Sequence, residues 1–88
     1  MNTSGYYRQT AYYWDIDENE YTLEAVFYHE DGMREIPDSD MLYSLELLEC
    51  DNNAPDITRM LSRGSDIWRE IENECSIFGA EWIGQEEW

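Results

Sequence analysis

The chain must place 21 Asp and Glu residues on its surface, against only five Arg and no Lys, in 88 residues with a formal net charge of −16. Its hydrophobic fraction is nevertheless 42% and its aromatic fraction 15%. The acidic runs are no longer than two residues, as at Asp17-Glu18 and Glu86-Glu87. Disordered acidic tails have few aromatic residues and longer runs of like charge. The pattern therefore predicts one small folded domain, residues 1–88, with an acidic surface.

The size of the charge bears on the kind of partner. A compact domain of this length has a radius of gyration of roughly 12 Å, and about 30 Å of duplex DNA carries about 18 phosphate charges. The folded chain would thus carry nearly the charge of the DNA segment that it could replace. Solubility alone needs a net charge of only about 2–8, and adaptation to a salty cytoplasm is the other general explanation. Repulsion on so small a surface also predicts that NaCl stabilises the fold.

The cysteines and the N-terminus bear on the cellular setting. Cys50 and Cys75 are the only cysteines and His29 the only histidine, which is too few for a tetrahedral zinc site. The N-terminus lacks the basic and apolar regions of a signal peptide, and no apolar run could span a membrane. We expect a bacterial cytoplasmic setting with reduced thiols, with a Cys50–Cys75 disulfide as the alternative.

The N-terminal part predicts a β-meander over residues 6–36. Residues 6–16 are rich in aromatics, and residues 21–29 alternate between apolar and polar positions, so the two should pair as a hairpin. Asp31-Gly32 is typical of a type I′ hairpin turn. A third strand should follow at Met33–Ile36 and stop at Pro37.

Residues 38–76 predict a helical part. Asp38 or Ser39 would begin a helix that continues through Met41–Leu48, although this segment also alternates in part. A second helix would begin near Pro55 and end at Gly64. Ser65 or Asp66 would begin a third, whose apolar stripe contains Ile67, Trp68 and Ile71 and extends to Cys75 and Phe78.

The tail, residues 77–88, predicts a short strand or arm. The expected fold class is α+β, with a three- to four-stranded antiparallel sheet packed against two or three helices.

Few residues suit catalysis. One histidine supports no persuasive nucleophilic triad, there is no Lys, and isolated glycines form no phosphate-binding loop. The acidic segment Asp15–Glu20 lacks the central glycine and the residue order of a calcium-binding EF-hand loop. We therefore predict a protein that is not an enzyme, with no cofactor and no specific metal.

The spacing of the carboxylates predicts a protein-binding surface. Asp15 with Asp17, and Glu18 with Glu20, have strand spacing, whereas Glu46 with Glu49, and Glu70 with Glu74, have helix spacing. Such rows could face the cations that normally hold phosphates, although a row of charge is also typical of a merely solvated face. Seven tyrosines exceed what the core can hide, and exposed tyrosines are favoured interface anchors. The predicted partner-binding residues are Asp15, Asp17, Glu18, Glu20, Glu24, Glu30, Asp31, Glu46, Glu49, Glu70, Glu74 and Tyr13.

In size, charge and lack of catalytic residues, the chain resembles the small phage-encoded DNA mimics that inhibit bacterial defence proteins, such as anti-restriction and anti-CRISPR proteins. The resemblance includes no shared motif. It implies that the acidic surface occupies the nucleic-acid groove of a Cas effector, restriction enzyme or nuclease. The partner would be that basic protein, with no direct nucleic-acid or membrane binding, and a homodimer is left open. The chain is also similar to immunity proteins that neutralise nuclease toxins, and an acidic adaptor of a DNA-binding or transcription protein is a further alternative.

Overall fold

The computed structural model describes residues 3–85. Four strands form one antiparallel sheet in the order β3-β2-β1-β4. The strands are β1 (Gly5–Trp14), β2 (Glu20–Glu30), β3 (Ser39–Cys50) and β4 (Glu81–Gly84). The helical segments within this range are one α-helix, α1 (Asp66–Glu74), and two short 3₁₀ helices, Thr58–Leu61 and Ile77–Gly79. None of these helices is long and apolar enough to cross a membrane.

The predicted hairpin of the first two strands is confirmed. β1 and β2 pair over their whole lengths, from Gly5 opposite His29 to Trp14 opposite Glu20. β1 ends two residues earlier than predicted because Asp15 begins the turn. Its Oδ1 atom accepts hydrogen bonds from the backbone N–H groups of Asp17 and Asn19, both at 2.9 Å.

The predicted strand at Met33–Ile36 is wrong. These residues form a turn, closed by the Ile36 N–H donating to the Met33 carbonyl at 2.9 Å, and the chain reaches β3 only at Ser39. Gly32 does not adopt the positive φ of a type I′ turn. A Cβ atom there would instead lie 1.9 Å from the Ile36 carbonyl oxygen, so close backbone approach is what requires glycine.

The third strand of the meander is β3, in the segment predicted as the first helix of the helical part. The register of β3 on β2 shifts twice, between Val26 and Phe27 and between Thr22 and Leu23. Each shift inserts one extra residue into β3, Tyr43 in the first and Leu48 in the second. β3 therefore does not alternate strictly along its length.

The core lies between one face of the sheet and the helical segments. The buried cluster joins Phe27 and Leu23 of β2 to Ile67, Trp68 and Ile71 of α1. Ser65 caps α1 as predicted, its hydroxyl accepting from the Trp68 N–H at 3.2 Å.

Two parts of the helical prediction are corrected. The segment after Pro55 forms only the 3₁₀ helix Thr58–Leu61, so two or three α-helices are not found within residues 3–85. Cys75 is buried at the end of α1, but Phe78 is 96% exposed and does not extend the stripe. The short final strand predicted for the tail is present as β4, and residues 86–88 of that prediction lie outside the described residues.

The molecule is elongated, with extents of 47 × 24 × 20 Å and a radius of gyration of 14.1 Å. It is therefore longer than the compact 30 Å body assumed in the comparison with DNA. About 47 Å of duplex carries about 28 phosphate charges. Without Glu86 and Glu87, the 19 carboxylates and five arginines of residues 3–85 give −14. The charge density is thus about half that of duplex DNA.

Candidate protein-binding surface

One face of the sheet is not covered by the helical segments, and we call it the open face. The odd-numbered residues of β1 and β2 supply the buried core on the other side, so the even-numbered residues of both strands lie on the open face. On β3, the residues paired with even-numbered positions of β2 lie on the open face as well. Its residues include Tyr6, Arg8, Thr10, Tyr12, Trp14, Glu20, Thr22, Glu24, Val26, Tyr28, Glu30, Met41, Ser44, Glu46 and Glu49.

Aromatic rings lie at both ends of the open face. At one end Tyr6 makes edge contacts with Tyr28 and Tyr43, with ring centroids 5.1 and 5.5 Å apart. At the other end Tyr12 and Trp14 are neighbours, 6.2 Å between centroids. Tyr12 is 49% exposed and Trp14 55% exposed. The Tyr12–Trp14 end therefore presents two ring surfaces to solvent beside the β1–β2 turn.

Carboxylates lie between and beside these rings. Glu24 of β2 is directly opposite Glu46 of β3, and Glu49 is opposite Thr22. Directly opposed side chains have Cβ atoms about 4.5–5.5 Å apart, so Glu24 and Glu46 repel each other. Glu20, exposed, lies opposite Trp14. These residues were predicted to bind a partner, and the sheet brings them onto one surface.

Arg8 is the one arginine of the open face, and it is already paired. Its Nη2 atom lies 3.0 Å from Glu81 Oε2, and this hydrogen bond with its accompanying charge raises the pKa of Arg8. Among residues 3–85 this is the one ion pair between an arginine and a carboxylate. No other carboxylate of the open face forms an ion pair with an arginine, although the charge of Glu24 also contributes to the raised pKa of Arg8.

The β1–β2 turn, at the end of the sheet beside Trp14, carries two more exposed carboxylates, Asp17 and Glu18. Asp15 differs from them. Its Oδ2 atom accepts from Asn19 Nδ2 at 2.9 Å, and the hydrogen bonds from Asn19 lower the pKa of Asp15. Asp15 holds the turn together, so its carboxylate is already engaged by hydrogen bonds.

The predicted helix carboxylates Glu70 and Glu74 lie elsewhere. Both are exposed on α1, on the opposite side of the sheet from the open face. Arg69 directly precedes Glu70 in α1, and Arg59 and Arg63 belong to the neighbouring helical layer. The predicted set is therefore divided between two surfaces, and only the helical one contains several arginines.

His29 organises a separate cluster at the end of β2. The ring is 3% exposed; its Nδ1 atom lies 2.5 Å from Asp40 Oδ1 and its Nε2 atom 3.0 Å from Asp31 Oδ1. Burial lowers the pKa of His29, but the hydrogen bonds and charges of Asp40 and Asp31 outweigh it, so the pKa is raised. The ring therefore favours the imidazolium form.

The same cluster contains Asp31, another of the predicted partner-binding residues. Its carboxylate accepts from the backbone N–H and the hydroxyl of Thr3, and these hydrogen bonds, with His29, lower the pKa of Asp31. One potential metal-ligand atom from each of His29, Asp31 and Asp38 lies within 4.8 Å of the other two, a spacing that a metal ion could bridge. However, an imidazolium has no lone pair to offer, so the cluster as arranged is an ion-pair network.

Tyr13 and the two cysteines are the remaining residues about which the sequence made a prediction. Tyr13 lies on the covered face, half-buried, with its ring 5.9 Å from that of Tyr21, so it is not on the open face. Both cysteines are free thiols. Burial, followed by nearby carboxylates led by Asp40, raises the pKa of Cys75 to about 12, whereas Cys50 is exposed.

Tyr12 and Trp14 are exposed candidates on the open face that were not among the predicted partner-binding residues. The alternation of β1 puts them on one face, two residues apart, beside the acidic turn. That pattern was available in the sequence, but without the position of α1 it did not tell which face stays uncovered.

Comparisons with family models, curated proteins and solved structures find no match to this chain.

Proposed function

We propose that this protein is a non-enzymatic DNA mimic of phage or mobile-element origin. It would act in the bacterial cytoplasm, binding the basic nucleic-acid groove of a defence complex, a CRISPR–Cas effector or a restriction enzyme, and excluding DNA. The observation that carries the proposal is the run of unpaired carboxylates along an elongated body.

The charge spacing supports this function. Residues 3–85 carry a net charge of −14 over 47 Å, or about one charge per 3.4 Å. That is the charge spacing of a single DNA strand, about 3.4 Å per phosphate. A groove that binds nucleic acid through arginine and lysine would therefore meet a comparable density of negative charge.

The mechanism is competition. Long-range attraction between an acidic body and a basic groove raises the association rate, and the bound protein then occupies the volume that DNA needs. No bond is made or broken. Both consequences are measurable, because raising the DNA concentration must relieve the inhibition and added salt must weaken it.

The test uses the purified full chain against DNA cleavage by a panel of Cas effectors, restriction endonucleases and nuclease toxins. We expect inhibition of one enzyme, with an apparent inhibition constant that rises with DNA concentration and between 50 and 200 mM NaCl. Inhibition of a toxin would support the immunity-type alternative. If no enzyme is inhibited, and a tagged chain retains only a mixture of basic proteins that modest salt removes, the mimic proposal is wrong.

A charge-reversal variant links inhibition to the surface. Asp17→Lys, Glu18→Lys and Glu20→Lys together should slow association and abolish inhibition while preserving the fold. Asp15 stays unchanged in this variant because it closes the turn. The matched control is the neutral set Asp17→Asn, Glu18→Gln and Glu20→Gln, which should give an intermediate loss. Full inhibition by the Lys variant would exclude the β1–β2 turn from the contact.

A further inference from the structure

We infer that the open face, and not the helical side, is the docking surface, and that its occupant is an arginine-rich surface of the partner protein. This inference rests on the proposed function, and it names the surface and the partner chemistry.

The distribution of arginines separates the two sides of the molecule. Arg59, Arg63 and Arg69 all belong to the helical layer, and Arg34 lies in the segment between β2 and β3. Arg8 is the one arginine on the open face, and Glu81 holds it. An incoming cation therefore meets Glu20, Glu46 and Glu49 with no arginine paired to them, and of the open-face carboxylates it is Glu24 whose charge acts on Arg8. On the helical side it would meet Glu70 and Glu74 in a layer that also contains three arginines.

The exposed rings favour arginine over lysine. A guanidinium is planar, stacks on aromatic faces and pairs with a carboxylate through two parallel hydrogen bonds. The molecule already contains one such contact, with the Arg63 guanidinium carbon 5.4 Å from the Trp68 ring centroid. On the open face Tyr12 and Trp14 present comparable ring surfaces, with Glu20 directly across from Trp14.

The open face also has the dimensions of an extended peptide. The ten residues of β1 span about 33 Å at about 3.3 Å per residue, so about nine or ten residues of extended chain would cover the face. A second copy of this chain is not its occupant, because two open faces would oppose like charges. An anionic lipid surface is disfavoured for the same reason.

The first experiment measures binding of two synthetic peptides, nona-arginine and nona-lysine, to the ¹⁵N-labelled full chain by NMR at 150 mM NaCl. We expect the largest shift changes at amides of β1, β2 and β3 near Thr10, Thr22 and Glu46, and at the indole of Trp14. We expect nona-arginine to bind roughly 2–5-fold more tightly, the ratio of a single exposed cation–π contact of about 0.5–1 kcal/mol. Shift changes centred on α1, or equal affinities, would overturn the inference.

Two charge-matched variants then separate the surfaces. Glu46→Lys with Glu49→Lys changes the open face, and Glu70→Lys with Glu74→Lys makes the same charge change on α1. We expect the first pair to reduce nona-arginine affinity at least tenfold and the second less than threefold. Circular dichroism and Tm are measured first, to check that both variants fold. Equal losses would mean that only total charge matters, and a larger loss from the α1 pair would place the docking surface there.

A third variant tests whether the exposed rings cause the preference for arginine. Tyr12→Ser with Trp14→Ser removes both rings without changing charge, and should eliminate the preference for nona-arginine over nona-lysine. A preference that persists contradicts the role of the rings.

The same variants distinguish failure of this inference from failure of the proposed function. If a nucleic-acid enzyme is inhibited and only the α1 pair relieves it, mimicry stands and the open face is the wrong surface. If nona-arginine binds the open face but no such enzyme is inhibited, the surface stands and the proposed function is wrong.

Discussion

His29 joins three separate segments of the chain through its two ring nitrogens. Asp40, at one of them, lies in β3, while Asp31, at the other, also binds Thr3 near the N-terminus. The ring is 3% exposed and packs against the edge of Tyr7, with centroids 6.2 Å apart. The charged form of one side chain therefore fixes the relative positions of the N-terminus, β2 and β3.

This arrangement predicts how stability depends on pH. The pKa of His29 is higher in the folded state than in the unfolded chain, where it is about 6.5, so the protonated ring stabilises the fold. This contribution to the free energy of unfolding is fully present at pH values below about 6.5. That contribution is lost as pH rises through the folded pKa. In urea unfolding, the stability difference between the wild type and His29→Gln should therefore be larger at pH 6 than at pH 9.

Subtracting the free energy of unfolding of His29→Gln from that of the wild type cancels most of the pH dependence that comes from carboxylates outside the cluster. Asp40→Asn is the companion variant, since it removes a principal cause of the raised pKa while keeping the ring. The pH at which the His29 contribution disappears should move down in Asp40→Asn. A His29→Gln difference that is constant from pH 6 to pH 9 would mean that the pKa of His29 is the same in the folded and unfolded states.

At the scale of the element, β3 explains why the sequence predicted a helix. The bulge at Tyr43 puts Leu42 and Leu45, three residues apart, on the same face of the sheet. The bulge at Leu48 does the same for Glu46 and Glu49 on the open face. Spacing of three is the helical pattern, so two bulges make a strand resemble a helix.

The other elements were predictable to the extent that local chemistry determines them. β1 is rich in aromatic residues, β2 alternates between apolar and polar positions, and α1 begins at a serine cap before an apolar stripe, so all three were found from the sequence. The turn at Met33–Ile36 was missed because Asp31 is occupied by His29 and Thr3, which are distant contacts. The grouping of Glu24, Glu46 and Glu49 likewise depends on strand pairing.

The pair Glu24–Glu46 gives a prediction in which stability and binding change in opposite directions. Like charges directly opposite each other destabilise a sheet, and replacing one by a β-branched residue removes the repulsion. Glu46→Thr should therefore raise the free energy of unfolding by about 0.2–1 kcal/mol. It should also weaken nona-arginine binding, because a docking carboxylate is lost.

Glu49→Thr is the matched control. Glu49 lies opposite Thr22, so its replacement relieves no directly opposed charge while lowering the negative charge by the same amount. In urea unfolding we expect Glu46→Thr to gain more than Glu49→Thr. Equal gains would show that total charge, not the opposed pair, limits stability.

At the scale of the whole molecule, an elongated body lowers the self-repulsion of its charge. Spreading −14 over 47 Å separates charges that a sphere would crowd, at the cost of a smaller core per residue. The same elongation gives the molecule the charge spacing of a nucleic-acid strand. Shape and net charge are therefore linked in this protein, and both depend on the long hairpin of β1 and β2.

The remaining repulsion predicts that NaCl stabilises the fold. The Debye length falls from about 30 Å at 0.01 M to about 10 Å at 0.1 M, which is shorter than the molecule. If screening contributes about 1 kcal/mol, the Tm of a domain of this size should rise by about 4–8 °C, with most of the gain below 0.3 M NaCl. The Glu46→Lys, Glu49→Lys variant is four charge units less negative and should gain less. A specific ion effect would instead continue to grow at high salt and differ between NaCl and KCl, and a Tm that falls with NaCl would show that attractive charge pairs dominate.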